Sequence, residues 1–448
     1  MTTHRFGTRE VEVLGSWDTV VVGGGTAGAS AAISAAREGN RTLVVERYGS
    51  LGGSPVHALV TPMMGSRAPH GYNLQEIERR LNGLGVVTRE GGDRMGYIWF
   101  TPETLSEVLE AMLLDAGGQE LLDATLIDVD MSDGRVVAIV VMTVEGLRAI
   151  EARQFVDATG DATLSRMAGV PCVAGDDAGN NQMSSLRFEM GGIDVERYRQ
   201  HCLSLGDDFS PMVDGFFWES AMVAGKGFKL EPLFRQGVAR GVLEESDLVY
   251  YQCFSLPGEP GVMAFNCPHL PGLTCNASAM ARSEALADGR RRIRRLVSFL
   301  TSYMPGFERA FLVREASMLG VRESWRICGT YTLDVDDYVA RARFEDAVAR
   351  GTWYIDIHSA TKGLVHMERY QRGEYYEIPY RCLTNQVVRN MLTVGRCIST
   401  SFLVQASVRI QQTVIDMGDS AGRACARALA AGAELAGFDG CGLLDGAD

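Results

Sequence analysis

The sequence predicts an α/β fold: a parallel sheet flanked by helices, interrupted by an antiparallel meander, with a mixed α+β unit set into the chain. Three observations predict it. The apolar run Asp18-Thr-Val-Val-Val22 passes directly into Gly23-Gly24-Gly25-Thr26-Ala27-Gly28 and an Ala-rich stretch. Two later apolar runs, Phe155-Val-Asp157 and Met391-Leu-Thr-Val394, also run into glycine-bearing turns. Between residues 124 and 156, three strand-like runs are joined by turn signals. Purely β-branched and apolar runs suit strands buried on both faces, as in parallel sheets.

Each element follows in order. The first strand ends at Val22, and Gly23, Gly25 and Gly28 match G-x-G-x-x-G. In a Rossmann-like turn the first glycine permits the tight bend and the second lets the backbone approach a pyrophosphate. The third lets helix and strand pack closely, and the helix N-terminus offers its N–H groups to the anion. Ala27 to Glu38 reads as helix, stopped by Gly39-Asn40, and Thr42-Leu-Val-Val45 as a second strand ending at Glu46. An acid about 20 residues after the first glycine is placed to bind ribose hydroxyls. Leu51-Gly52-Gly53-Ser54 offers another close backbone approach. Thr101-Pro-Glu-Thr104 is a helix start, followed by Leu105, Val108, Leu109, Met112 and Leu113 at helical spacing. The meander covers 124–130, 135–144 and 147–156, with turns at Ser132-Asp-Gly134 and Glu145-Gly146, and leads back to Ala158-Thr-Gly160. A final helix is expected over Gln405 to Leu429, containing Gly418 and Gly422. The basic run Arg290 to Arg295 reads as the solvated face of a helix whose other face carries Leu296, Phe299 and Leu300.

Composition narrows the function. Gly takes 51 of 448 positions, about 11% against a usual ~7%. A formal charge of -13 argues against nucleic-acid binding, which needs a cationic face. No apolar leader or membrane span is visible, and ten cysteines without a C-x-x-C pair suit free thiols, so a cytoplasmic location is expected. No metal site is expected, and His269 lacks any spaced partner ligand.

The segments Val20–Gly65, Ala158-Thr-Gly-Asp161, Ser185–Asp194, 320–329, 378–382 and Val394–Gly422 together resemble the FAD-dependent oxidoreductase family of the glutathione-reductase type. The resemblance is to the branch without a separate NAD(P)H domain, and it spans about residues 18 to 430. It implies FAD as cofactor and a discontinuous FAD-binding domain, 1–175 plus 386–448, around a substrate domain at 176–385. By resemblance, Gly23, Gly25, Thr26, Ala27, Gly28, Glu46, Arg47, Gly53, Ser54, Ala158, Thr159, Gly160, Gly395 and Arg396 line FAD. Ser407, Val408, Arg409 and Ile410, taken as the start of the last helix, lie under the flavin pyrimidine. Helix N–H groups there would stabilise the charge of a reduced flavin. The chain departs from the family pattern at Ser54-Pro-Val-His57-Ala58.

Candidate catalytic residues are His57, Arg322, His358 and Arg381. Arg322 and Arg326 share a face if that stretch is helical, which suits gripping a carboxylate; the competing reading is an internal ion-pair network with Glu315 or Glu323. His358 lies on an alternating run and is either a general base or structural. Arg381 and Tyr380 precede the last cofactor strand, and His57 follows Gly53, where it is placed to contact flavin, act on substrate or carry a covalent flavin link. The expected activity is hydride transfer between a small organic molecule and flavin N5, by an oxidase or dehydrogenase. Oxygen or another diffusible molecule would accept the electrons, and the chain would form a monomer or homo-oligomer. The alternatives are a flavoprotein lyase or isomerase without net redox, and a nucleotide-binding protein without turnover.

Overall fold

A computed structural model describes residues 10–61, 63–66, 68–84, 96–207, 212–213, 216–217, 224–359, 363–366, 370–371 and 373–444. Its largest sheet has seven strands. The parallel part runs Gln119–Leu121, β2 (Thr42–Val45), β1 (Val13–Val22), Gly146–Asp157 and Met391–Thr393, with Val20 opposite both Leu43 and Phe155. Strand Gly146–Asp157 serves two purposes. Its first half closes the antiparallel meander with Arg135–Thr143 and Thr125–Ser132, and its second half continues into the parallel sheet. The meander turns fall where Asp133, Gly134 and Gly146 take positive φ. A parallel sheet carrying such a meander is the α/β, Rossmann-like architecture expected.

Helix α1 (Thr26–Arg37) lies against the long C-terminal helix Gln411–Ala430. A Cβ at Gly418 would stand 2.1 Å from the Ala27 carbonyl oxygen, and one at Gly422 would stand 2.2 Å from that of Ala31. Only glycine permits this approach, which fixes the start of α1 under the end of β1.

The chain between the sheet's last two strands builds a second sheet, in the order Cys253–Ser255, Met263–Phe265, Phe188–Gly191, Phe311–Glu315. The helix Ala279–Tyr303 packs Ile293, Leu296, Phe299 and Leu300 into a core shared with Phe188, Phe234 and Phe265. The basic run on this helix is only partly a solvated face. Arg290 and Arg291 are exposed, but Arg292 is buried between Asp247 and Asp288, and Arg295 also grips Asp247. Leu333, Tyr338, Val348 and Tyr376, from the described part of 331–385, share one core with α1 and the last helix. Among the described residues, no helix is long and apolar enough to cross a membrane.

Candidate functional site

The loops leaving three parallel strands converge at one spot. Gly23 donates its N–H to the Val45 carbonyl at 2.8 Å, and Ala158 donates to Val22 at 2.8 Å. A Cβ at Gly28 would lie 1.9 Å from the Gly23 carbonyl oxygen and 2.8 Å from Ala158 Cβ, so the turn and helix are in contact. Gly25, at the N-cap of α1, is the opposite case: the nearest atom to an added Cβ is Gly53 Cα at 3.9 Å. Gly53 itself has φ +59, and its own Cβ would meet Gly25 Cα at 2.8 Å. No side chain caps α1, so the N–H groups of its first turn, from Thr26, Ala27 and Gly28, remain available to an anion lying over Gly25.

Glu46 closes one side of this cradle. Its Oε2 accepts the Gly24 N–H at 2.6 Å and its Oε1 the Tyr48 N–H at 3.0 Å. Each oxygen retains a second lone pair for a hydroxyl. Arg47 turns away, over the Tyr48 ring and toward Met318. On the other side, Thr159 Oγ1 donates to Asp157 Oδ1 at 2.7 Å and accepts from the Thr163 N–H at 2.8 Å. Beyond it, the Arg396 guanidinium lies against Gly160, 2.9 Å from where a Cβ would sit. Arg396 donates to Asp161 at 3.0 Å, and an added Cβ at Gly395 would be 3.5 Å from Ala27 Cβ.

A second, charged constellation is buried beside this one. His269 Nε2 lies 2.9 Å from His358 Nδ1, and His358 Nε2 lies 3.2 Å from Asp356 Oδ2. Arg322 Nη2 reaches His269 Nε2 at 3.2 Å while its Nη1 donates to the Met183 carbonyl at 2.7 Å. Arg409 donates to the Asp356 carbonyl at 3.3 Å and Arg187 to the Leu59 carbonyl at 3.1 Å. The Tyr250 ring stacks on His269 at 4.1 Å. Gln405 ties this cluster to the first site: its Nε2 donates to the Arg322 carbonyl at 2.9 Å and to that of Arg396 at 3.3 Å.

Proton counting defines what the chain Asp356–His358–His269–Arg322 can do. With both rings neutral, one of its three links always lacks a hydrogen or faces two donors. With His358 protonated, both its nitrogens donate, to Asp356 Oδ2 and toward His269 Nε2, whose single lone pair is then shared with the Arg322 guanidinium. Burial first, then the Arg322 charge, push His358 down to about 4, and burial with the same guanidinium holds His269 well below its ordinary value. Both rings therefore stand neutral at pH 7 beside the arginines.

The family model described as FAD dependent oxidoreductase matches residues 18–440. The chain belongs to the FAD-dependent oxidoreductase family. Its cofactor is FAD, and the open cradle at Gly25, the uncapped start of α1 and the free lone pairs of Glu46 fit that dinucleotide. Among solved structures, p-nitrophenol 4-monooxygenase from Pseudomonas putida is similar in fold, with TM-score 0.50 at 11% identity, over 94% of this chain and 82% of that one. A flavin-dependent brominase is similar with TM-score 0.50 at 11% identity, over 96% of this chain and 82% of the other. No curated relative matches the sequence.

Within this family member, two sequence expectations are corrected. Ser407 and Val408 do not begin the last helix; they end a separate short one, Phe402–Val408, and Ile410 is the N-cap of Gln411–Ala430. Ser407 is committed to the Trp353 carbonyl at 2.6 Å and the Tyr376 hydroxyl at 2.8 Å. The stretch 320–324 is extended rather than helical and leads into strand Trp325–Ile327, so Arg322 and Arg326 do not share a helix face. Arg322 enters the histidine cluster, whereas Arg326 forms a buried ion pair with Glu323.

Of the residues singled out from sequence, Arg322, His358 and Arg409 come together in this cluster. His57 and Arg381 lie elsewhere. The His57 ring stacks on Tyr48 at 4.2 Å, at an open groove of about 690 Å³ that also contains Glu103, Glu107 and Arg314. Arg381 pairs with Asp346 at 2.8 Å on the surface. Arg187, Tyr250, His269, Asp356 and Gln405 carry no spacing signal, because the chain returns to the cluster from six separate segments.

The buried histidines make a prediction about acid stability. The unfolded chain binds protons near pH 6.5 and the folded chain does not, so stability is full above that value. For His358 it falls as pH drops from about 6.5 to about 4, by about 1.4 kcal/mol per pH unit, and His269 adds a loss of the same sign. Thermal midpoints of wild type and His358→Gln, compared from pH 8 to 4.5, should converge as pH falls; a constant gap would show that folding leaves the His358 pKa unshifted, and a widening one that His358 is protonated in the fold.

Proposed function

We propose that the protein is an oxidase or dehydrogenase of the glutathione-reductase-type branch, moving a hydride between a small organic substrate and flavin N5. The observation that carries the reading is Gln405, whose single amide bridges the Arg396 loop of the cofactor cradle and the buried Arg322–His269–His358 cluster. FAD, when bound, supplies the hydride acceptor or donor.

The chain's own residues supply the rest. Gly23, Gly25, Thr26, Ala27, Gly28 and Gly53 bind the dinucleotide through backbone, Glu46 takes a ribose, and Ala158 to Gly160 with Gly395 and Arg396 flank it. In this reading residues 1–175 and 386–448 hold FAD, and residues 176–385 present the substrate. Arg322 and Arg409 orient the substrate, and His358, braced by Asp356, holds or releases the proton that accompanies the hydride at Nδ1 through His269. Burial of the cluster excludes water from this exchange.

Anaerobic mixing tests the reading. Purified protein should be yellow, and its flavin absorbance should bleach with a substrate found by screening, without NAD(P)H, and recover on admitting oxygen. Flavin reduced only by NAD(P)H would replace the reading with a monooxygenase of the kind named for the Pseudomonas putida neighbour. Turnover with the flavin oxidised throughout would favour a lyase or isomerase.

A further inference from the structure

We propose that the substrate of this site is an organic carboxylate, and that Arg187, Arg322 and Arg409 with His269 bind its carboxylate group. The inference rests on the proposed function, since it names the substrate class of the same site.

Charge is the first argument. Three guanidiniums lie in one buried region, with Asp356 as the carboxylate facing Arg409 and Arg322, and with both histidines neutral. Arg187 and Arg322 donate to carbonyls, a hydroxyl and a ring nitrogen; among the described residues no carboxylate accepts from either. Burial, and then the neighbouring arginines, push Arg322 down to about 9, and burial pushes Arg187 down to about 10. Groups held in this way are destabilising until an anion joins them.

Unused donors are the second argument. His269 Nδ1 and Arg409 Nε are both buried and, among the described residues, have no hydrogen-bond partner. Such groups are costly when a fold has no use for them. A ligand bringing two oxygens would satisfy both and supply the missing negative charge.

Geometry selects the class. All three cations are arginines, whose planar forks match a planar carboxylate. A carboxylate is also borne directly on carbon, so it can fix the orientation of a neighbouring C–H bond for hydride transfer, and a free inorganic anion has no such bond to offer.

Malonate is a suitable probe. FAD-loaded protein is titrated with malonate at constant ionic strength while flavin absorbance and the thermal midpoint are followed; malonamide and inorganic phosphate are run in parallel. The expected result is a saturable flavin band shift and a raised midpoint with malonate, neither with malonamide, and a weaker response to phosphate. Arg322→Met should weaken malonate binding roughly tenfold or more with FAD content unchanged. Arg290→Gln, an exposed residue of the long helix, should leave it unaltered. Should Arg322→Met not fold, Arg322→Lys must show the loss in milder form. A malonate-indifferent FAD-loaded protein, an equal response to malonamide or phosphate, or wild-type affinity in the Arg322 variants would overturn the carboxylate assignment. A protein unable to take up FAD would instead sink the proposed function.

Discussion

Gly25→Val should leave a folded protein that cannot hold FAD. Gly25 has φ -63 and ψ 177, a conformation open to any residue, and its added Cβ would meet nothing closer than 3.9 Å. The fold therefore loses little. What is lost is the space above the first turn of α1, where the unsatisfied N–H groups and the positive end of the helix dipole face the anion. Valine methyl groups would stand in that space. FAD affinity should fall by roughly a hundredfold or more, about 2.7 kcal/mol, while the apo-protein's circular dichroism and thermal midpoint stay near wild type. Gly28→Ala should behave differently, because its Cβ would stand 1.9 Å from the Gly23 carbonyl oxygen and the turn itself must break. Flavin content after purification, equilibrium dialysis against FAD and melting curves separate the two outcomes. Stoichiometric FAD in Gly25→Val would refute the cradle.

This contrast also explains why the glycine-bearing turns were legible in the sequence and the buried cluster around Arg322 was not. The turn after β1 depends on contacts between residues 23 and 28, and local chain geometry leaves a local signature in glycine spacing. The meander and its turns were readable for the same reason, since Asp133-Gly134 and Gly146 sit where positive φ is needed. The cluster around Arg322 has no such signature. Arg187, His269, Arg322, Asp356 and Arg409 reach it from the starts of two strands, two loops and the break between two helices, with hydrogen-bonded rings 89 residues apart. Nothing in the spacing of His269 and His358 announces that they meet. The two errors have a physical cause of the same kind. Periodicity around 322–326 and 405–410 is compatible with helix, but tertiary partners decide both: Glu323 takes Arg326 away from Arg322, and Ser407 is captured by Trp353 and Tyr376, leaving a break before the last helix.

Asp161→Ala should cost about 3–5 kcal/mol, one of the largest effects of any single side chain here. The sequence offers it only as the residue after a strand-end glycine. In the fold its carboxylate takes both Nη atoms of Arg282 at 2.9 and 3.0 Å, Arg396 at 3.0 Å and the Ser324 hydroxyl at 2.6 Å. Four segments meet there: the loop after Gly160, the first turns of the helix Ala279–Tyr303, the extended stretch bearing Arg322, and the loop at Gly395. Removing the carboxylate strands two guanidiniums and frees Arg396 from its place against Gly160, so FAD affinity should drop along with stability. Burial alone would raise this acid, but Arg396 and Arg282 overcome it and hold the group well below the usual carboxylate range. The folded value lies below the unfolded ~3.9, so the stabilisation is complete above about pH 4 and is lost as pH falls further. Asp161→Asn keeps the shape and the Ser324 acceptor but not the charge. Its melting midpoint should lie well below wild type at pH 7, and the gap should narrow below about pH 4. A gap under about 1 kcal/mol at pH 7, within the range of an exposed ion pair, would mean that Arg282 and Arg396 are held without Asp161.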